Sequence, residues 1–172
     1  AIAPTASISI ICGGASPGVE PIAANSYTHK TLSGSYNVRN RYLQKILEKY
    51  EKNNDEIWSS ITTNQGSVSH LDFLTDLEKD VFKTAFEINQ KWIIELGADR
   101  TPFVSQAQSI NIFLPADVHK KELHQIHFQA WKKGLKSLYY CRSKSIQRAE
   151  NINNGLSTKA TIKESKENQE YE

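Results

Sequence analysis

The chain of 172 residues is long enough for one domain with a hydrophobic core, and its formal net charge of +2 is close to neutral. This charge argues against a nucleic acid or an anionic membrane surface as a partner. No apolar run approaches the roughly 18 residues of a membrane span, and the first residues lack the pattern of a signal peptide. Cys12 and Cys141 form neither a disulfide framework nor a zinc motif, so we expect a reducing, cytoplasmic setting.

Two features suggest a piece of a longer protein. Methionine is absent from the chain, and the chain opens on an apolar stretch with no cap or turn before it. We therefore expect a processed or truncated segment, with removal of the initiator plus chance as the alternative.

The first third of the chain is predicted to contain few regular elements. Residues 1–12, AIAPTASISIIC, predict the end of an apolar strand, a turn at Pro4 and a short segment rich in Ser and Thr. Residues 13–21 contain three glycines and two prolines, which predicts a loop with unusual backbone angles. Residues 26–40 are polar, with Gly34 in a turn.

Helical spacing begins near Arg41 and is carried by Tyr42, Ile46, Leu47 and Tyr50. A second short helix is predicted within residues 53–61, with Asp55 as its cap. Thr75 and Glu78 have the T-x-x-E spacing of a capping box. One long helix is predicted to follow that box and to end at Gly97, with these residues on its apolar face: Val81, Phe82, Ala85, Phe86, Ile88, Trp92, Ile93 and Leu96.

The last part of the chain predicts an α/β arrangement. After an extended connection, Asp117 is expected to cap a helix that ends at Gly134, and a short strand follows in residues 135–143. The inward face of this helix is predicted to hold Leu123, Ile126, Ala130 and Trp131. One strand near each end cannot complete a sheet, so we expect the Pro4 and Tyr139 segments to pair with strands outside this chain. Residues 1–148 would form the folded part, and residues 149–172 a disordered tail.

The segment Pro4–Ser9, PTASIS, is a candidate anion site. Small residues allow close approach of a ligand, and the hydroxyls of Thr5, Ser7 and Ser9 can donate hydrogen bonds. A helix beginning here would also present free N–H groups to a phosphate. A plain helix cap is the alternative reading.

Tyr139 and Tyr140 stand side by side near the end of the strand-like run LKSLYYC. Stacked phenols could pass an electron, each losing its proton as it is oxidised. The alternative is one buried and one interfacial tyrosine, since neighbours in a strand face opposite sides.

Two further groups of residues favour ordinary surface roles. His124 and His127 could place two ligands on one metal, but no matching Asp, Glu or Cys completes a site, so with His119 they predict a solvated or interfacial face. A basic cluster could attract an acidic substrate or partner, or could be the solvated rim of the last helix: Lys132, Lys133, Lys136 and Arg142.

Five segments together resemble, in the same order, the C-terminal end of the large (α) subunit of class I ribonucleotide reductase. The resemblance covers about residues 1–148 and looks closest to marine-bacterial and phage-type members. It rests on APTASISIICGGASPGVEP, GSVSHLDFL, KTAFEINQKW, ADRTPFVSQAQSINIFLPADV and HFQAWKKGLKSLYYCRS. The family's α subunit contains a ten-stranded α/β barrel, and the resemblance implies that this chain is its last part, mostly helical with a strand near each end.

The resemblance implies two sites. Tyr140 would accept the radical from the small (β) subunit, and Tyr139 would pass it to a thiyl cysteine that takes a hydrogen from the ribose. The substrate diphosphate would be bound by backbone N–H groups and hydroxyls of one segment, with Ser9 assisting: Pro4, Thr5, Ala6, Ser7 and Ile8.

The same resemblance implies which parts lie elsewhere. The thiyl cysteine, the redox-active cysteine pair, the catalytic Asn and Glu, and the ATP or dATP effector sites belong to other regions of the family's α subunit. The family's C-terminal cysteine pair is also missing from the ending ENQEYE, so this chain alone should not reduce a ribonucleotide. The segment would hold no cofactor of its own, because the radical comes from the metallocofactor of the β subunit.

The expected function is conversion of ribonucleoside diphosphates to deoxyribonucleoside diphosphates for DNA synthesis. The expected partners are the rest of the α chain, the β subunit, the substrate, and thioredoxin or glutaredoxin as reductant. A non-catalytic helical binding module derived from the same family is the alternative.

Overall fold

The computed structural model describes residues 1–32 and 34–143, so the predicted tail and the boundary at residue 148 lie outside the described residues. Helices predominate among the described residues, with a hairpin of two strands near the N-terminal end and two short strands in the last third. The elements are α1 (Ala6–Ile11), β1 (Ser26–Thr31), β2 (Gly34–Arg39), α2 (Arg41–Lys49), α3 (Asp55–Thr63), α4 (Asp76–Val81), α5 (Gln90–Arg100), a 3-10 helix (Thr101–Phe103), β3 (Ile112–Leu114), α6 (Lys120–Lys132) and β4 (Cys141–Ser143).

Local capping explains where several helices begin. The predicted capping box of α4 is confirmed: the Glu78 N–H donates to the Thr75 hydroxyl, and the Thr75 N–H donates to the Glu78 carboxylate. The two other predicted caps are displaced by a residue or two. Asn54, rather than Asp55, caps α3, and His119 rather than Asp117 caps α6.

The prediction of one long helix after Thr75 is wrong, because residues 82–89 interrupt it. The backbone N–H and the hydroxyl of Thr84 both donate to the Glu87 carboxylate, at 2.8 Å each. The N–H of Ala85 donates to the carbonyl of Ile22. These bonds replace the helical i to i−4 pattern, and α5 starts afresh with Asn89 as its cap.

This interruption changes which residues reach the core. In α5 the buried apolar residues are Ile93 and Ile94, and Gly97 lies inside the helix instead of ending it. A Cβ at Gly97 would lie 2.6 Å from Ile110 Cδ1, so a larger residue there would require the Ile110 side chain to move. Four residues predicted to face inward are exposed instead: Val81, Trp92, Leu96 and Trp131.

Two small sheets are present in the described residues. Strands β1 and β2 form an antiparallel hairpin, in which the predicted turn joins two strands that the sequence analysis did not predict. Strand β3 pairs in parallel with β4, and Ile2 forms an isolated parallel bridge with Gln108. The expectation that both terminal segments need strands outside this chain is therefore wrong, since residues 107–114 pair with both.

The apolar residues form two clusters. One is built around α2 and α3: Leu43, Leu47, Trp58, Ile61, Val68, Leu71, Leu74 and Phe82. The other joins α5, α6 and β3: Ile93, Ile94, Ile110, Ile112, Leu114, Ile126 and Ala130. A helix both long and apolar enough to cross a membrane is not found among residues 1–32 and 34–143.

Candidate functional site

A segment of residues 107–114, which we call the central strand, includes the bridge residue Gln108 and β3 (Ile112–Leu114). The N-terminal segment lies along one of its edges. The N–H of Ile2 donates to the Ala107 carbonyl at 3.2 Å, and the N–H of Ser109 donates to the Ile2 carbonyl at 2.8 Å. Two residues after Ile2, the chain turns at Pro4 into α1. The segment predicted to bind phosphate therefore begins directly beside this edge.

The tyrosine pair lies along the opposite edge of the same strand. The N–H of Tyr139 donates to the Ile110 carbonyl at 2.8 Å, and the N–H of Ile112 donates to the Tyr140 carbonyl at 2.9 Å. Backbone groups of alternate residues point to opposite edges of a strand, so odd-numbered residues bond the N-terminal segment and even-numbered residues bond the tyrosines. The fold thus places both predicted sites on neighbours of one strand.

The start of α1 presents backbone N–H groups without a side-chain cap. Thr5 is the N-cap residue, but its hydroxyl donates to the Pro17 carbonyl at 3.1 Å instead of capping the helix. The first-turn N–H groups belong to Ala6, Ser7 and Ile8, whose side chains are exposed. Thr5 is half-buried and Pro4 is exposed, so all five predicted residues border solvent or lie close to it.

Ser9 does not share this exposure. It is buried within α1, and its hydroxyl donates to the Ala6 carbonyl at 2.8 Å. Its hydrogen bond is thus made inside the helix rather than offered to a ligand.

The rings of Tyr139 and Tyr140 are in direct contact. Their centroids lie 4.2 Å apart with planes tilted by 55°, and the two residues are 48% and 54% exposed. This contact is closer than the usual 4.5–7 Å separation of aromatic pairs, and the rings are tilted rather than stacked. It is possible because β4 begins only at Cys141, so the strand rule that sends neighbours to opposite faces does not apply to the pair.

The surroundings of the pair affect the ionisation of the Tyr139 phenol. A hydrogen bond with Tyr140, followed by the charge of Tyr140 and by burial, raises the pKa of Tyr139 above its ordinary value, while Arg142 opposes the rise. The Arg142 guanidinium lies 5.4 Å from the centroid of the Tyr140 ring, within cation–π range. Removal of the proton from Tyr139 is thus harder than from an isolated phenol.

The predicted basic cluster does not act as one patch. Lys133 forms an ion pair with Glu95 at 2.5 Å, and Arg142 lies over Tyr140. The ammonium of Lys136 donates to the carbonyls of Val104, Ser105 and Gln106. All four side chains are nevertheless exposed, as expected for the rim of the last helix.

The histidines of α6 have separate structural contacts. His119 Nδ1 accepts from the Lys121 N–H at 3.1 Å, and His127 Nδ1 donates to the Leu123 carbonyl at 2.8 Å. The His124 ring stacks on Phe128. Across the ranges that the structure covers, no group of three or more His, Cys, Asp or Glu side chains is placed to hold a metal ion.

Sequence reasoning missed two residues beside the site, Glu20 and Asn111. Glu20 is 4% exposed, and its carboxylate accepts the backbone N–H of Asn111. The Asn111 side-chain oxygen in turn accepts the backbone N–H of Tyr140 at 3.4 Å. The sequence offered two signals for them: a carboxylate in a loop of Gly and Pro, and an amide within the apolar run INIFL.

A cavity among the described residues lies away from both predicted sites. It has a volume of about 480 Å³ and opens between the starts of α5 and α6 and the end of β3. None of the predicted phosphate or tyrosine residues lines it.

Parallel strand pairing with helices packed against it places this chain in the α/β class. The chain belongs to the ribonucleotide reductase family: residues 1–141 match the family model described as "Ribonucleotide reductase, barrel domain". The expected family and fold class are thereby confirmed.

Relatives and a solved structure agree with this assignment. The chain is 54% identical over 156 residues to the "Ribonucleoside-diphosphate reductase large subunit" of Invertebrate iridescent virus 6, covering 88% of this chain and 16% of that protein. It is 44% identical over 161 residues to the protein of the same name from Invertebrate iridescent virus 3, covering 92% and 26%. The "Actinobacillus ureae class Id ribonucleotide reductase alpha subunit" matches with a TM-score of 0.75 and 42% identity, over 88% of this chain and 26% of that one.

The chain spans about a quarter or less of the length of these three proteins. None of the three is named as a marine-bacterial or phage protein, so that narrower assignment stays a prediction.

Proposed function

We propose that this chain is part of a cytoplasmic ribonucleoside-diphosphate reductase, in which it contributes a substrate-phosphate segment and a tyrosine radical relay. The enzyme would convert ribonucleoside diphosphates to deoxyribonucleoside diphosphates. Its other parts would be the rest of the large subunit, which carries the ATP and dATP sites, the small subunit, and thioredoxin or glutaredoxin as reductant. The radical would originate at the small subunit's metallocofactor.

The observation that carries the relay is the 4.2 Å contact between two half-exposed phenol rings. Tyr140 would lose one electron and one proton to the small subunit's oxidant. The Tyr140 radical would then take one electron and one proton from Tyr139, restoring Tyr140. The Tyr139 radical would in turn take a hydrogen atom from a thiol elsewhere in the large subunit, so that each step moves one electron and one proton.

The uncapped start of α1 supports the phosphate role. The N–H groups of Ala6, Ser7 and Ile8 carry partial positive charge, and a diphosphate could accept from them. Pro4 removes one competing N–H from this turn, and Thr5 is held in place by Pro17. An Ala6→Asp variant should raise KM for the diphosphate substrate, because a carboxylate would occupy the same position and repel it.

The experiment that tests the relay is reconstitution of the complete large subunit with the small subunit, with CDP conversion to dCDP as the readout. Tyr140→Phe should abolish turnover while leaving subunit assembly intact, since phenylalanine cannot give up a phenolic proton and electron. Tyr36→Phe is the matched control, because Tyr36 is also 54% exposed but lies in the hairpin. Full activity of Tyr140→Phe would refute the relay.

A further inference from the structure

The loop of residues 13–21 folds around a buried carboxylate. Glu20 is almost fully buried, and the hydroxyl of Ser16 donates to the backbone carbonyl of Glu20. Gly18 lies so close to this side chain that a Cβ there would be 2.1 Å from Glu20 Oε2. Because the glycine has no side chain, the carboxylate can occupy this space.

Strand geometry explains why a buried hydrogen-bond acceptor is needed there. The N–H groups of Ser109, Asn111 and Phe113 point toward the edge where Ile2 pairs, but the chain turns away after Ile2. In the described part of the molecule, buried side chains accept hydrogen bonds from the next two N–H groups on this edge. Glu20 accepts from the Asn111 N–H, and Gln90 Oε1 accepts from the Phe113 N–H at 2.9 Å.

Asn111 also connects to the tyrosines on the other edge. Its side-chain oxygen accepts the Tyr140 N–H, while its own backbone N–H is bound by Glu20. At the far end of the loop, the Pro17 carbonyl accepts both the N–H and the hydroxyl of Thr5. Hydrogen bonds and loop residues 17–20 thus connect the predicted phosphate segment to the predicted relay.

We propose that Glu20 and Asn111 are positioning residues that hold the phosphate segment and the tyrosine pair in fixed relation to each other, an inference that rests on the proposed function. Neither residue contacts the reacting atoms in this role. Glu20 holds in place the loop that binds Thr5. Asn111 links Glu20 to Tyr140, which lies on the other edge of the strand. A shift of about 1 Å in either site would be costly, because radical transfer and hydrogen abstraction depend on alignment.

The first test uses Glu20 variants in the complete large subunit with the small subunit present. Glu20→Met removes the acceptor of a buried N–H, so KM for CDP should rise and kcat should fall, each by about tenfold, as expected for the loss of one buried hydrogen bond. Glu20→Gln keeps an oxygen at the same position and should restore most of both constants. Gln90→Met is the matched control, since it removes the acceptor of the next N–H on the same edge without contacting the loop.

Gln90→Met should lower stability but leave KM and kcat of the folded enzyme unchanged. Effects of Glu20→Met that equal those of Gln90→Met, or that Glu20→Gln does not relieve, would overturn the positioning role.

Asn111→Leu provides a second test that does not depend on folding of the Glu20 variants. It keeps the backbone N–H that Glu20 binds and removes only the acceptor for the Tyr140 N–H. Turnover should fall by about tenfold while KM stays within about twofold, because one hydrogen bond is lost on the tyrosine side alone. Equal changes in KM and kcat, or no change in kcat, would overturn the inference.

These results are distinguishable from failure of the proposed function. An active Tyr140→Phe enzyme would refute the relay and this inference together. An inactive Tyr140→Phe enzyme combined with normal KM and kcat in Glu20→Met and Asn111→Leu would refute the positioning role alone.

Discussion

Gly66 lies against Ala24 so closely that a methyl group on Gly66 would come within 2.6 Å of the Ala24 Cα. The Gly66 carbonyl also accepts two hydrogen bonds from Asn25, at 3.0 Å from the backbone N–H and 2.9 Å from the side-chain amide. The same amide donates to the Phe82 carbonyl at 2.7 Å. The turn after α3, the start of β1 and the end of α4 thus meet at one buried point.

Gly66→Ala should therefore destabilise the chain much more than a glycine-to-alanine change whose only cost is the left-handed backbone conformation. Gly134 is the control, because its φ of +79° nearly equals the +82° of Gly66 but no atom lies within 4 Å of a Cβ built there. Gly134→Ala should cost about 1 kcal/mol from the left-handed backbone, and Gly66→Ala about 3 kcal/mol or more, because steric overlap is added. Urea unfolding of the two variants measures the difference, and equal losses would contradict it.

His70 should make stability depend on pH. Its Nε2 bonds the Ser60 hydroxyl at 2.8 Å, while its buried Nδ1 has no partner in the described part of the chain. Burial lowers the pKa of His70 below its ordinary value of 6.5. The unfolded chain then binds a proton more readily than the folded chain, so stability is lost as pH falls from about 7 through the lowered folded pKa.

His70→Gln should reduce the loss of stability with falling pH, as measured by urea midpoints between about pH 7 and pH 5. His124→Gln is the comparison, because His124 is exposed. An unchanged slope in His70→Gln would show that another group is responsible.

Titration of Tyr139 should reveal its contact with Tyr140. The pKa of Tyr139 is raised first by hydrogen bonding with Tyr140, so Tyr140→Phe should lower it toward the ordinary value of 10.0. Arg142 opposes that rise, so Arg142→Gln should move the Tyr139 pKa in the opposite direction, further upward. An NMR titration of ring-labelled tyrosine measures both shifts, and shifts of the same sign would contradict the arrangement.

Lys136 should stabilise the loop that follows the 3-10 helix. Its ammonium donates to the carbonyls of Val104 and Ser105 at 2.6 and 2.8 Å. Lys136→Met removes these bonds to a charged donor and should cost about 1–2 kcal/mol, with faster hydrogen exchange in residues 104–108. Lys132→Met should change stability by less than about 0.5 kcal/mol, because the exposed Lys132 side chain makes no hydrogen bond or ion pair within the described residues. Equal protection of the loop in both variants would count against the prediction.

The elements that were predicted correctly depend on short-range interactions. The capping box of Thr75 and Glu78 spans three residues, and the helical spacing after Arg41 needs only one face to be apolar. The loop of residues 13–21 likewise follows from its own glycines and prolines. The family was correctly inferred because five separate segments resembled it in order, and the comparisons confirmed that inference.

The sequence by itself thus determined the capping box at the start of α4, the α/β class and the family. Only the tertiary structure decided that Ala85 bonds Ile22 and so interrupts a helix, and that one strand joins the N-terminal segment to the tyrosines. It also decided that Glu20 binds Asn111, which is 91 residues away. Such bonds form between groups that the fold brings together at the cost of chain entropy, and no local pattern of residues encodes which distant partner each will meet.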